Sequence, residues 1–543
     1  MSLVNHALPP DALPDPRLWP YRDARHILGY SGLLNASAAL LDSNLRVGRA
    51  NRPAIIHRDR TWTYGFLAER VNRLSNALAA NGVKPGDRVL VHLPNIPEFI
   101  ETWLAALRIG AVVVATMPML KRRELHHILA ECEPSSVVTS GDLYPLFDAC
   151  APVPRLCILV GQNDLGESAY ERFLTAGSGS CEPAPTSVDD VAIVAYTSGT
   201  TGTLKGTIHT HGDLLAIADT YAQEVLAPEP KDRFAGHSSL AFTYGLGGLL
   251  IFPLRFGASV LLESAPFDAA EWLKLVRREC PTILFSTPTA CRLLMEEAPC
   301  RERITWRSVR LAVSAGQKLP RDTFLRWQET TGVQILDGCG STEMLHIWMS
   351  QRVGEAIGDC TGRPVGLYEA RLLADSGAEI QEREAEGIIA LRGPTGCRYW
   401  RRPDLQEEIV RDGWTLPGDR FRRDAEGRYW HISRTDDLIV SGGYKIAPAE
   451  VEGVLMQHPA VLDAAVVGVS GKMRGERIRA ILVLRKGLTR QVEMVGQIRQ
   501  FVKGEIAEYK CPHEIIVSDS LPRTVTGKLD RLSLAHLEET APD

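Results

Sequence analysis

The chain has 543 residues, 45% of them hydrophobic, and a formal net charge of −5. That is enough for two or more domains with their own cores, and too little basic excess to mark a nucleic-acid partner. The proline-rich stretch from Met1 to Pro20 lacks a basic start followed by an apolar core, which argues against a secretory signal. No run of about eighteen apolar residues predicts a membrane span; Leu249 to Leu262 is broken by Pro253, Arg255 and Gly257. Eleven cysteines, none in a Cys-x-x-Cys pair, predict free thiols in a reducing cytoplasm rather than a disulfide frame or zinc site.

After an irregular arm, a helix is expected near Leu33 to Asp42 and a strand at Arg60 to Tyr64. Phe66 to Asn81 repeats apolar residues at helical spacing and stops at Gly82. Arg88 to Leu93 then reads as a strand, Ile96 to Ile109 as a helix, Ala111 to Ala115 as a strand and Arg122 to Ala130 as a helix. Strands alternating with helices at this interval predict parallel sheet covered on both faces. Gly161 to Val188 is looser. Val191 to Tyr196 is a strand, Asp213 to Glu224 a helix, and Ser259 to Leu262, Thr282 to Phe285 and Arg310 to Ser314 short buried strands. Helical signals accompany them at Trp272 to Arg278, Thr289 to Glu297 and Arg321 to Thr330.

From about residue 385 the strands shorten and their turns carry charge: Gly387 to Leu391, Tyr429 to Ile432, Leu438 to Val440. A final pattern follows, with a helix at Ala449 to Met456, strands at Val461 to Val469 and Ile478 to Leu484, a helix at Val492 to Ile506 and a strand at Ile515 to Val517. It suffices for a small α+β domain. The boundary falls in Arg434-Thr-Asp-Asp437, giving domains 1–435 and 436–543.

Chemistry concentrates first in Tyr196-Thr-Ser-Gly-Thr-Thr-Gly-Thr-Leu-Lys-Gly206. Glycines allow close approach of the backbone, while hydroxyls, bare N–H groups and a lysine are what a polyphosphate wants. The spacing is not that of a Walker loop. Gly338-Cys-Gly-Ser-Thr-Glu343 joins two glycines, two hydroxyls and a carboxylate suited to Mg²⁺. Gly418-Asp419 offers two acceptor oxygens for ribose hydroxyls, and Arg434 a fork of donors. Ser441-Gly-Gly-Tyr-Lys-Ile446 is a second glycine turn, and Pro522-Arg-Thr-Val-Thr-Gly-Lys528 ends in a lysine. Singly these read as turns, a helix-capping box or solvated loops.

In this order they resemble the adenylate-forming superfamily of acyl-CoA synthetases, adenylation domains and luciferases, from about Asn35 to Arg531. The resemblance implies a large N-terminal α/β domain with mostly parallel sheets and a barrel-like subdomain, then a small mobile α+β lid. It implies ATP, CoA and Mg²⁺ as cofactors, with monomer or homodimer as the assembly. Thr197, Ser198, Gly199, Thr200, Thr201, Gly202 and Lys205 would bind the β- and γ-phosphates. Ala315, Gly316, Asp337, Gly338 and Cys339 would frame adenine. Thr342 would contact the α-phosphate, Glu343 and Thr201 the metal, and Asp419 and Arg434 the ribose. Lys528 would bridge carboxylate and nucleotide, Asp436 would be the hinge, and Ser441, Gly442 and Gly443 would line the CoA channel.

The chain departs from the family pattern at Leu204, where proline is usual before the loop lysine, and at Pro417, where threonine is usual before Gly418. The histidine-containing pocket motif is replaced by Leu240-Ala-Phe-Thr-Tyr-Gly245. Glu343-Met-Leu-His-Ile-Trp348 resembles the pocket segment of benzoate–CoA ligases. Phe242 to Gly247 and Ala115-Thr-Met-Pro-Met119 are most similar to the 2-aminobenzoate–CoA ligase branch. This implies an acyl pocket of Phe242, Tyr244, Gly245, His346 and Ile347 that receives a small aryl acid. The competing expectations are another acyl-CoA synthetase, an aryl-adenylating enzyme that loads a carrier protein, and an inactive nucleotide-binding regulator.

Overall fold

The computed structural model describes residues 3–21, 23–147, 154–161, 169–198, 204–435, 437–441, 444–471, 475–485, 487–488, 492–524 and 528–537. Gly199, Thr200, Thr201, Gly202, Asp436, Gly442 and Gly443 lie outside them, as does the side chain of Ser198.

Two sheets carry the N-terminal part. A six-stranded sheet runs Leu156–Val160, Ser136–Ser140, Arg88–His92, Val112–Thr116, Val191–Ser198, Leu204–Thr210. It is parallel except for its last pair, which forms a hairpin. A nine-stranded sheet runs from Arg363–Pro364 through Ile347–Ser350, Ile335–Gly340, Leu311–Ser314, Ile283–Ser286, Arg233–Gly236, Ser259–Leu262 and Pro53–His57 to Arg60–Thr63. Its inner strands are parallel and its edges antiparallel. The inner strands are apolar on both faces because helices cover both faces, and one core runs through Trp103, Tyr221, Phe252, Phe285 and Trp348.

An antiparallel sheet follows, built on Ala385–Arg392 and Asp419–Arg423 with Tyr429–Arg434 at one edge. The small C-terminal sheet runs Tyr444–Ile446, Ile439–Ser441, Gly475–Leu484, Val461–Gly471, with Glu514–Val517 parallel to Gly475–Leu484. Helices Pro448–Leu455 and Val492–Glu505 help close its own core of Val451, Leu455, Val466, Ile498 and Val502. This is the large α/β unit and small α+β unit that the alternating pattern predicts. No described helix is long and apolar enough to cross a membrane.

Three expectations need correction. The helix near Leu33 to Asp42 is two short helices, Ala36–Leu40 and Asp42–Arg46, the first capped by the Asn35 side chain. The looser stretch holds helix Ala169–Thr175, whose Tyr170 donates to the buried Glu101 carboxylate alongside Trp62 and Arg70. The helix at Asp213 to Glu224 begins as α-helix His211–Ile217 and continues as a π-helix, Ala218–Leu226. A second π-helix spans Gly247–Ile251. Such widened turns recur at functional sites, and these two flank the same histidine.

Candidate active site

The glycine-rich segment links two strands that pair antiparallel. Thr197 pairs with Lys205 and Ser198 with Leu204. Helix Arg122–Cys132 braces the hairpin from behind: the Tyr196 hydroxyl donates to Glu131 at 2.5 Å, and His127 donates to the Leu204 carbonyl at 2.9 Å. Segment 398–400 runs alongside, Ile208 N–H donating to the Arg398 carbonyl and Trp400 N–H to Gly206. This lays Tyr399 against the loop lysine. Lys205 Nζ donates to the Tyr399 hydroxyl at 2.7 Å and sits 4.7 Å from its ring centre. Tyr399 in turn donates to Glu343 Oε1 at 2.9 Å, and Lys205 lies 3.5 Å from the same oxygen.

Glu343 occupies the turn joining Ile335–Gly340 to Ile347–Ser350, which pair antiparallel. Leu345 takes a positive φ of 71° there. His209 donates to the Thr342 carbonyl at 2.8 Å, and burial lowers its pKa to about 4, so the ring is neutral. Burial would raise the Glu343 pKa; the Lys205 ammonium, Tyr399 and the Lys528 charge outweigh it, and the carboxyl is held lower than usual.

Ala315 and Gly316 follow strand Leu311–Ser314, and Asp337 to Cys339 lie in the neighbouring strand, with Ser314 paired to Asp337. The two candidate adenine segments therefore meet at the carboxyl ends of adjacent parallel strands, where open α/β sheets bind ligands. Gly316 has φ +86° with open space where a Cβ would stand. Burial pushes the Asp337 carboxyl well up.

Asp419 and Arg434 are fifteen residues apart in sequence and directly paired across two strands. Asp419 accepts from His431 Nε2 at 3.0 Å, and Arg434 Nη1 lies 3.8 Å from its other oxygen. Burial opposes ionisation of Asp419, but His431, Arg434 and Lys528 together hold its pKa below the usual range.

Lys528 is exposed, and its carbonyl accepts from the Thr524 N–H at 2.7 Å. Its charge acts on Glu343, Asp419 and Cys339, which sets this end of the small domain on their side. The orientation is held from outside: Asp463 of the small domain accepts from Arg292 on helix Pro288–Glu296 and from Arg523 at 2.8 Å. Arg523 also donates to Thr289 at 2.8 Å, and Arg485 pairs with Glu296. Ser441 is buried and pairs with Tyr444 and Gly475.

His346 is the centre of an aromatic enclosure, with Tyr221, Tyr244, Phe252 and Phe285 at ring-centre distances of 5.5, 5.7, 4.7 and 6.3 Å. Gly247 makes room for it: a Cβ there would stand 2.3 Å from the imidazole. His346 Nε2 lies 3.3 Å from the Tyr244 carbonyl, which can only accept, so the proton is on Nε2. Nδ1 is a buried acceptor with no partner among the described residues. Burial lowers the His346 pKa to about 3. The Tyr244 hydroxyl is turned to the Ser286 and Val313 carbonyls, at 3.0 and 3.2 Å. Ile347 packs under Gly338, Gly245 sits on the Ser239 carbonyl with no room for a Cβ, and Phe242 is half-buried before helix Thr243–Leu246.

Tyr399, His209, His431, Tyr221, Phe252 and Phe285 join the site without standing in the glycine-rich motifs. The aromatic pair Tyr399-Trp400 after Gly396, and the pair Gly247-Gly248 in an apolar run, are the sequence signals that point to two of these places.

The family model described as AMP-binding enzyme matches residues 44–400, and that for the AMP-binding enzyme C-terminal domain matches 450–528. A benzoate–CoA ligase of Thauera aromatica is 37% identical over 92% of this chain and 95% of its own. The chain belongs to the AMP-binding enzyme family, on its aryl-acid–CoA ligase branch. An anthranilate–CoA ligase of Pseudomonas aeruginosa is 34% identical over 88% of this chain and 90% of its own. Among solved structures, the anthranilate–CoA ligase AuaEII in complex with anthranoyl-AMP superposes with a TM-score of 0.88 at 31% identity, covering 93% of this chain and 98% of that one. A benzoate–CoA ligase from Burkholderia xenovorans superposes at 0.85 with 32% identity, over 93% and 100%. The enzyme is thus an AMP-forming acid–thiol ligase that uses ATP and CoA.

Proposed function

We propose that the enzyme joins 2-aminobenzoate to CoA through an acyl-adenylate. His346 carries this reading. Its Nε2–H faces a carbonyl, which leaves Nδ1 as a buried acceptor without a donor among the described residues. An amino group ortho to the carboxylate is the donor that this acceptor lacks, and the surrounding rings suit a flat aryl acid. A site built to hydrogen-bond a substrate group rejects analogues lacking that group far better than an apolar one does.

The glycine-rich segment with Lys205 would hold the β- and γ-phosphates. Ala315, Gly316 and Asp337 to Cys339 would frame adenine, and Asp419 with Arg434 would hold ribose. Mg²⁺ fits Glu343: it takes one or two carboxylates together with substrate phosphates rather than an all-protein cage, and no cluster of three metal-ligating side chains exists among the described residues. When bound it would neutralise polyphosphate charge. The carboxylate oxygen attacks the α-phosphorus, the bond to pyrophosphate breaks, and the CoA thiol then displaces AMP from the adenylate. Lys528 would stabilise the charge of the first step. The small domain, taken as 436–543, would then turn at Asp436, withdraw Lys528 and bring Ser441, Gly442 and Gly443 to the thioester site.

A panel of 2-aminobenzoate, benzoate and the hydroxybenzoates, read by CoA consumption, tests the substrate. We expect kcat/KM for 2-aminobenzoate to exceed that for benzoate by about tenfold or more, the worth of one buried hydrogen bond to an otherwise unpaired group. Equal efficiencies would favour the second reading, benzoate, toward which the 37% identity to a benzoate–CoA ligase points.

A further inference from the structure

We propose that Tyr399 is a positioning residue that bridges the loop lysine and the site carboxylate, so that their 3.5 Å ion pair does not tighten into a direct hydrogen bond before the nucleotide arrives. The inference rests on Lys205 and Glu343 being the phosphate and metal groups. The three polar atoms form a closed triangle: 2.7 Å from Lys205 Nζ to Tyr399 Oη, 2.9 Å from Oη to Glu343 Oε1, and 3.5 Å from Nζ to Oε1. The direction of the hydrogen bonds is forced, since an ammonium can only donate and a carboxylate can only accept. The phenol therefore accepts from one and donates to the other.

The placement of the ring is rigid. Tyr399 N–H donates to the Gln406 side chain at 2.9 Å, its neighbours hydrogen-bond to the strand that carries Lys205, and the residue is 1% exposed. The Lys205 ammonium is thereby held beside the hydroxyl, 4.7 Å from the ring centre. Without the hydroxyl, the existing ion pair would tighten from 3.5 Å to direct hydrogen-bond contact between Lys205 and Glu343. A direct ion pair in a buried site is costly to break, and incoming phosphates would have to break it. With the hydroxyl in place, each charge keeps a hydrogen-bond partner that a phosphate oxygen or a cation can replace one at a time.

The test is binding rather than turnover. Titration of MgATP and of magnesium pyrophosphate into the full-length enzyme by calorimetry should show Tyr399→Phe binding both about tenfold more weakly, the factor that loss of a charge-assisted hydrogen bond brings. The KM for the aryl acid and for CoA should not change, and the melting temperature should stay within a few degrees of the parent. Tyr399→Met, a flexible filler without the hydroxyl, serves the same comparison should the phenylalanine form not fold. In Lys205→Ala, adding Tyr399→Phe should weaken binding by no more than a factor of two, because the tyrosine acts through the lysine. Wild-type affinity in a folded hydroxyl-free variant, or a full further tenfold loss in the double variant, would overturn the inference. If Lys205→Ala and Glu343→Gln themselves bound MgATP as the parent does, the reading of the phosphate site would fall instead.

Discussion

Burial takes His346 out of the ordinary histidine range: its pKa falls to about 3, and the ring is neutral at any working pH. The proposed preference for an ortho-amino acid should then be flat across pH. The ratio of kcat/KM for 2-aminobenzoate over benzoate, measured from pH 6 to 8, should stay constant. A fall centred near pH 6.5 would mean that the imidazole titrates there and that its Nδ1 is not the recognising acceptor. The same physics bears on stability. His92, His209 and His211 are fully buried and each is lowered to about 4. Their folded pKa values lie below the unfolded value near 6.5, so unfolding takes up protons and stability declines as pH falls from 6.5 toward 4. Glu343 and Asp419 are lowered carboxylates, whose contribution is lost only at still lower pH. Replacing His92 by glutamine should flatten the dependence of unfolding free energy on pH within that window by up to about 1.4 kcal/mol per pH unit. An unchanged slope in urea titrations at stepped pH would show that His92 is already protonated when folded.

At the scale of elements, the two π-helices explain how one histidine comes to be enclosed. Ala218–Leu226 brings Tyr221, and Gly247–Ile251 brings a glycine whose missing side chain is the space that the imidazole fills. Gly247→Ala should therefore strike the aryl site alone. Overpacking of this kind costs about 1–3 kcal/mol, so kcat/KM for the aryl acid should drop about ten- to hundredfold while MgATP affinity stays as it was. Loss of both in parallel would show that the element, not the pocket, had failed. This is also where the reading of the sequence stops. Glycine-rich turns are legible because backbone conformation and ligand approach leave a compositional mark, and alternation of strands with helices predicts parallel sheet. The register that sets Asp419 against Arg434 belongs to a hairpin of consecutive strands, but the convergence of Tyr399 on Lys205 depends on pairings between segments remote in the chain. Nothing local encodes these, and a π-helix is indistinguishable from an α-helix by apolar spacing. His346 was legible only as the residue beside a glutamate; its enclosure comes from four rings on three other segments.

For the whole molecule, the proposed scheme turns on what would hold Lys528 over the site and what would let it leave. The orientation seen has Asp463 between Arg292 of the large domain and Arg523 of the small one, with Arg485 on Glu296 beside them. These contacts join charged groups that are partly buried, so breaking one by removing its partner leaves a charge uncompensated. They should favour this orientation over any other. Two variants separate the holding of the lysine from the lysine itself. Lys528→Ala removes the charge that would stabilise adenylation; a loss on the order of a hundredfold or more is expected in ATP-dependent adenylate formation, while thioester formation from supplied aryl-adenylate and CoA stays within a few-fold. Arg292→Ala leaves Lys528 intact but weakens its hold, so adenylation should slow by a smaller factor and thioester formation should hold or quicken. Rapid-quench measurement of the two half-reactions decides the matter. Equal loss of both in Lys528→Ala would end the two-orientation scheme. Equal slowing of both in Arg292→Ala would leave the scheme standing but remove Asp463 and its arginines as the contacts that select between orientations.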